Sequence, residues 1–158
     1  MSRIELRGVS KRYGHNLALN EVNLTLEGQK IYGLLGRNGA GKTTLLNLLT
    51  AKTYPTLGTI TIDGQAVWEN DAVLSRVFYM TETNLYPASV RVREAFHWTA
   101  QFYPGFQMSY AEELARRCEL DTRKRVKELS IGYASIFKAI LALASGAPIL
   151  LLDEPVLG

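Results

Sequence analysis

Ile31-Tyr32-Gly33-Leu34-Leu35-Gly36-Arg37-Asn38-Gly39-Ala40-Gly41-Lys42-Thr43-Thr44 is the stretch that decides the fold. The apolar run before Gly36 reads as a buried strand, and Leu45, Leu46, Leu48 and Leu49 after it read as the apolar side of a helix. Between them, Gly36 to Thr43 fit G-x-x-x-x-G-K-[ST], a loop that cradles phosphate. Glycines allow successive backbone N–H groups to turn inward around phosphate oxygens, and a helix opening at Lys42 aims its positive dipole end at the same place. Lys42 adds a mobile charge for the outer phosphates, and Thr43 offers a hydroxyl to the magnesium ion that accompanies a nucleoside triphosphate. A tight strand-to-helix turn in any α/β protein would explain one glycine, but not Lys-Thr at the helix start.

A second constellation lies near the other end of the sequence. Ile149-Leu150-Leu151-Leu152 suits a strand buried on both faces, and Asp153 and Glu154 sit at its carboxyl end. Paired acids on a chain with a phosphate loop suggest a division of labour. Asp153 holds magnesium directly or through water, and Glu154 polarises an attacking water.

Upstream of the loop, Ile4, Leu6 and Val9, then Val22, Leu24 and Leu26, alternate with polar residues as half-buried strands do, which points to an antiparallel β layer. Tyr13 falls in the polar turn between them, where it is either a surface tyrosine or a ring presented to a flat ligand such as adenine. After the loop helix, Thr59 to Ile62 with Asp63-Gly64 reads as a strand and turn that rejoin the layer. Val77-Phe78-Tyr79-Met80 reads as a core strand that delivers Glu82 to a site at its carboxyl end, as a contact for ion or water or as a solvated loop acid. Helical spacing over Val92 to Tyr103, a capping-box pattern at Ser109 and Glu112, and the face Ala111, Leu114, Ala115, Cys118 mark a helical insert. Leu129-Ser130-Ile131-Gly132-Tyr133 then leads into a helix whose face carries Ile136, Ile140, Leu143 and Ala144.

The 158 residues, 47% hydrophobic and 21% charged, are enough for one domain with a real core. The formal net charge of +3 is spread through the sequence, and the run Arg123-Lys124-Arg125 reads as a solvated connector or a docking patch, so no nucleic-acid partner is expected. Cys118, the only cysteine, forbids an intrachain disulfide and fits a reducing cytosol, with packing on a helix face as its expected role. The longest apolar stretch, Ile140 to Leu152, is broken by Ser145, Gly146 and Pro148, so neither a signal peptide nor a membrane span is expected.

Together these residues resemble the nucleotide-binding subunit of ATP-binding cassette proteins over almost the whole chain. The resemblance implies that Tyr13 stacks on adenine, that Gly36, Arg37, Asn38, Gly39, Ala40, Gly41, Lys42, Thr43 and Thr44 hold ATP, and that Thr43 and Asp153 hold Mg2+ with Glu154 as catalytic base. Residues 129–133 stand in the place of the signature Leu-Ser-Gly-Gly-Gln, which in such proteins crosses a head-to-tail dimer to contact the partner's ATP. Ser130 and Gly132 keep that pattern, while Ile131 and Tyr133 depart from it. Glu82 stands where the family usually places a glutamine near the γ-phosphate, keeping an oxygen ligand for metal and adding a charge. The sequence stops at Val156-Leu157-Gly158, where the family continues into a D-loop, further core strands and a switch histidine, and neither His15 nor His97 stands in that histidine's place.

The resulting expectation is an α/β phosphate-loop nucleoside triphosphatase fold with an N-terminal antiparallel β layer and a helical insert, incomplete on its C-terminal side. The layer covers about 1–30 and 58–66, the core 31–57, 67–83 and 145–158, and the insert about 84–144. The parent would hydrolyse ATP to drive transport by a separate transmembrane subunit, as one of two nucleotide-binding subunits lying on the cytoplasmic face of the membrane; the 158 residues alone are expected to be inactive. The rival expectations are a soluble cassette ATPase acting on ribosomes or DNA, and a module that binds ATP without turnover.

Overall fold

Alternation in the first 27 residues produces the expected ladder. Strand β1 (Arg3–Tyr13) pairs antiparallel with β2 (Asn16–Glu27), with Ile4 opposite Leu26 and Leu6 opposite Leu24. Its other edge takes β3 (Leu57–Ile62), with Ile4 opposite Ile62 and Leu6 opposite Ile60. A short β4 (Gln65–Ala66) completes a sheet in the order β2-β1-β3-β4. Ile4, Leu6, Ile60 and Ile62 are all buried, as side chains sharing one face of adjacent strands must be when that face is covered. The β3–β4 hairpin turns on Asp63-Gly64, both with positive φ (50° and 77°), which is why a glycine occupies the second place. Asp63 also accepts from the Arg3 N–H (2.6 Å) and pairs with the Arg76 guanidinium, and these bonds hold its carboxyl below the ordinary carboxylate value.

The computed structural model describes residues 2–81, 83 and 85–155, and the chain divides into two units, 1–76 and 77–158. The first unit also holds helix α1 (Lys42–Leu49), seated on Leu45, Leu48 and Leu49, and the one-turn α2 (Asp71–Leu74), capped by Asn70. Here the structure departs from the sequence reading. Ile31 to Leu35 form no strand, and both Ile31 and Leu35 are almost fully exposed. Apolarity favours burial, but a strand also needs a ladder, and the sheet of this unit does not include these residues.

In the second unit β5 (Val77–Met80) and β6 (Ile149–Leu152) form a parallel pair, with Tyr79 in register with Leu151. Strand β6 is buried on one face only. Ile149 and Leu151 are covered, whereas Leu150 and Leu152 remain 37% and 42% exposed, so the expectation of burial on both faces is not met within this unit. Three helices, α3 (Val92–Phe102), α4 (Met108–Arg117) and α5 (Ile131–Ala144), surround a core that includes Phe96 and Phe137, stacked at 6.2 Å. Helix α4 starts one residue before Ser109. Gln107 donates its N–H to the Ala144 carbonyl (2.8 Å), which fixes the entry there, and the Ser109–Glu112 capping box does not form. Cys118 is exposed because the helix ends on it, beyond the buried Ala111 and Ala115. On α5 the buried stripe runs through Phe137, Ile140, Leu141 and Ala144, so Leu143 points away from it and is half exposed.

Candidate phosphate-binding site

The chain from Gly36 to Gly41 turns tightly before α1. Ala40 donates to the Arg37 carbonyl (3.1 Å), and the helical ladder starts with Leu45 donating to Gly41 (2.9 Å). The N–H groups of Lys42, Thr43 and Thr44 therefore precede the ladder, and Gly41, the N-cap, has no side chain to cap them. Such a helix start is suited to an anion. Glycine is required at position 41 on two counts: its φ is +88°, and a Cβ there would lie 2.6 Å from the Ala18 carbonyl oxygen of β2. At Gly36 a Cβ would crowd Ala40 at 3.1 Å. Lys42 folds over the loop, its Nζ donating to the carbonyls of Gly36 (2.7 Å) and Arg37 (3.2 Å), while Thr43 is exposed at the helix start.

Tyr13 is the last residue of β1 rather than part of the turn, opposite Asn16 and 46% exposed. Because Gly41 packs on Ala18 of the same hairpin, the fold brings the Tyr13 end of that hairpin and the phosphate loop to one region of the first unit. The Lys11 ammonium lies 4.8 Å from the Tyr13 ring centroid and donates to the Tyr54 carbonyl (2.7 Å). Lysine two residues before tyrosine on a strand shares its face, a signal present in the sequence but not used in reading it.

The acids lie in the second unit. Asp153 is 8% exposed, and its N–H extends the β5–β6 ladder by donating to the Met80 carbonyl (2.9 Å). The Tyr79 hydroxyl donates to its Oδ2 (3.2 Å), and burial together with the Asp153 charge pushes Tyr79 up to about 12. Tyr79 escaped the sequence reading because only strand register places it beside the acid. Glu154 is exposed and adopts φ +47°, a left-handed conformation uncommon for residues other than glycine. Ser130 caps α5, accepting from the Tyr133 N–H (3.3 Å), and Gly132 in the first turn faces open space. Ser130 and Tyr133 also line a cleft of about 260 Å³ with Glu119, Asp121, Lys124 and Glu128. Glu82 lies outside the described residues. Among the described residues no cluster of three or more His, Cys, Asp or Glu side chains is arranged to hold a metal.

A mixed α/β fold with an antiparallel layer, a phosphate loop opening a helix and an acid at the end of a parallel strand defines a phosphate-loop nucleotide-binding protein. The sequence profile of the ABC transporter family matches residues 19–157, and the chain belongs to that family. It is 37% identical to the ABC transporter ATP-binding protein YtrB of Bacillus subtilis, over 96% of this chain and 52% of YtrB. It is 33% identical to the bacitracin transport ATP-binding protein BcrA of Enterococcus faecalis, over 98% of this chain and 51% of BcrA. The chain thus spans about half the length of these curated relatives. Among solved structures it superimposes on a Pyrococcus furiosus chain assigned as an ABC transporter ATP-binding protein with a TM-score of 0.85 and 26% identity, covering 99% of this chain and 77% of that one. A nucleotide-free ATP-binding cassette from an ABC transporter shares the fold at a TM-score of 0.80 and 18% identity, covering 100% and 71%.

Proposed function

We propose that the whole protein is the ATP-binding subunit of an ABC transporter, which binds ATP and hydrolyses it to drive transport by a separate transmembrane subunit. The observation that carries this reading is the helix start at Lys42, with its uncapped N–H groups and a loop that admits only glycine at position 41. The names of YtrB and BcrA support it. No helix among the described residues is long and apolar enough to cross a membrane. The separate membrane-spanning chain, with this one at its cytoplasmic face, is part of the proposal and is supported by relatives named as ATP-binding proteins of transporters.

In this reading the loop N–H groups and the Lys42 ammonium hold the triphosphate, and the Tyr13 ring stacks on the base. Thr43 and Asp153 hold Mg2+, with Glu82 as a further oxygen ligand, and the ion supplies charge neutralisation at the phosphate oxygens. Glu154 orients the attacking water for in-line displacement and accepts its proton. Ser130 and Gly132 meet the nucleotide of a second copy in a head-to-tail dimer. Titration calorimetry of the full-length protein with Lys42→Ala tests the site. ATP affinity should fall at least about tenfold with the melting temperature unchanged, since removing one charge-assisted contact to phosphate is worth about 1.5–3 kcal/mol. Equal affinities would reject the assignment. Phosphate release abolished by Glu154→Gln, with ATP binding retained, is the expected sign of turnover at this site.

A further inference from the structure

Within the second unit the Tyr79 hydroxyl reaches the Asp153 carboxylate. In a parallel pair, residues in register project to the same side, and alternate residues along a strand share a face. Tyr79 is in register with Leu151, so Asp153, two residues further, lies on the Tyr79 face about 6.6 Å along the strand direction. A long ring tipped by a hydroxyl spans that offset, and the O–H ends 3.2 Å from Oδ2. The backbone of Asp153 is fixed by its own bond to Met80, which leaves rotation of the side chain as the remaining freedom. Packing alone does not require the hydroxyl. Phenylalanine would fill the space beside Val77 and Leu151 without the cost of taking a hydroxyl out of water, about 1–3 kcal/mol when it is left unbonded.

We propose that Tyr79 is a positioning residue for the metal–nucleotide complex: its hydroxyl holds the Asp153 carboxylate in one orientation, so that the remaining lone pairs are presented to the cation. The inference rests on the reading of Asp153 as a metal-holding acid. Tyr79 itself touches neither nucleotide nor metal in this scheme. It acts by reducing the number of orientations from which the carboxylate must be selected on binding.

The test uses the full-length protein, with Mn2+ as a paramagnetic stand-in for Mg2+ and water-proton relaxation as the readout, on the wild type, Tyr79→Phe, Asp153→Asn and the double variant. In the presence of ATP, Tyr79→Phe should weaken Mn2+ about three- to tenfold, while ATP binding without metal and the metal-free melting temperature stay at wild-type values. In the Asp153→Asn background the same change should have no further effect, because the group it positions is altered. Unchanged Mn2+ affinity in Tyr79→Phe overturns the inference. So does a Tyr79→Phe variant that loses metal-free ATP binding equally or fails to fold, since either gives the hydroxyl a general structural role. Wild-type protein that binds ATP without any gain from Mn2+ would overturn the reading of Asp153 along with it, and the two failures are thereby told apart.

Discussion

In the proposed reading two interactions compete for the faces of Tyr13. The Lys11 ammonium already lies over the ring, and a base stacked there would either take the opposite face or displace the lysine. Either arrangement makes the ring worth more to ATP than to inorganic triphosphate. Tyr13→Ala should therefore weaken ATP about fivefold to tenfold and triphosphate by less than about twofold, taking ~1–1.5 kcal/mol for an aromatic stacking contact. Equal losses in calorimetry would leave Tyr13 a surface residue of the hairpin. Asp63 offers a different single-residue test, one of stability. Its carboxyl is depressed first by the Arg76 side-chain bond and then by the Arg3 N–H. A depressed carboxylate stabilises the fold at pH values above its unfolded pKa, and this contribution fades as pH falls through the lower folded value. Asp63→Asn should thus lower the melting temperature at pH 7, and the gap to wild type should close as the buffer is taken below about pH 4. A gap that stays constant with pH would mean that the bonds to Arg3 and Arg76 act through geometry and not through charge.

At the scale of the element, Ser130 shows how one side chain is asked to do two things. It caps α5 through a bond to the Tyr133 N–H, at 3.3 Å a long one, and it is proposed to face the nucleotide of a second copy. Ser130→Ala should cost roughly 0.5–1 kcal/mol in urea unfolding, the lower part of the range for a lost N-cap. Ser130→Asp should restore that stability, since aspartate caps as well as serine, yet leave phosphate release impaired by a negative charge facing phosphate. If Ser130→Asp turned over ATP as fast as wild type, the cap would be the whole of the serine's role. What could be read from sequence divides along the same line. The helix start at Lys42 was legible because its signal is local: glycine spacing, Lys-Thr and the leucines that follow are all within one turn or two. The β1–β2–β3 face was legible because alternation fixes which side chains share it. Tyr79 beside Asp153 was not, since the two lie 74 residues apart and meet only through the register of β5 with β6. The expected capping box at Ser109 failed for a related reason, because a contact from Gln107 to Ala144 sets where α4 begins.

For the whole molecule, the decisive feature is apolar surface that each unit leaves open. The first unit exposes Ile31 and Leu35, whose sequence reads as a core strand, and the second exposes Leu150 and Leu152 on one face of β6. Composition gave the appetite of these residues for burial correctly, but it could not supply the strands that would pair with them. Phe102 adds a further large exposed side chain at the end of α3. Burying apolar area is worth about 25 cal/mol per Å², so side chains of this kind, left in water, favour association with any surface that can cover them. Open strand edges add unpaired N–H and C=O groups to the same tendency. The purified 158-residue chain should therefore sediment as a mixture whose mean size grows with concentration over about 1–50 μM, and it should enhance the fluorescence of an apolar dye. Phosphate release by this chain should stay at background, since catalysis in the proposed reading requires two copies in one head-to-tail geometry and non-specific association does not select it. Guarding the exposed face with a charge separates the two causes of association: Leu152→Lys should reduce dye binding and shift the sedimentation profile toward monomer if the β6 face is the adhesive surface. A profile unchanged by that substitution would move the adhesive surface away from the β6 face, to the first unit or to the Phe102 end of α3, and a sharp monomer peak in the unsubstituted chain at every concentration would show that both apolar runs are covered in solution.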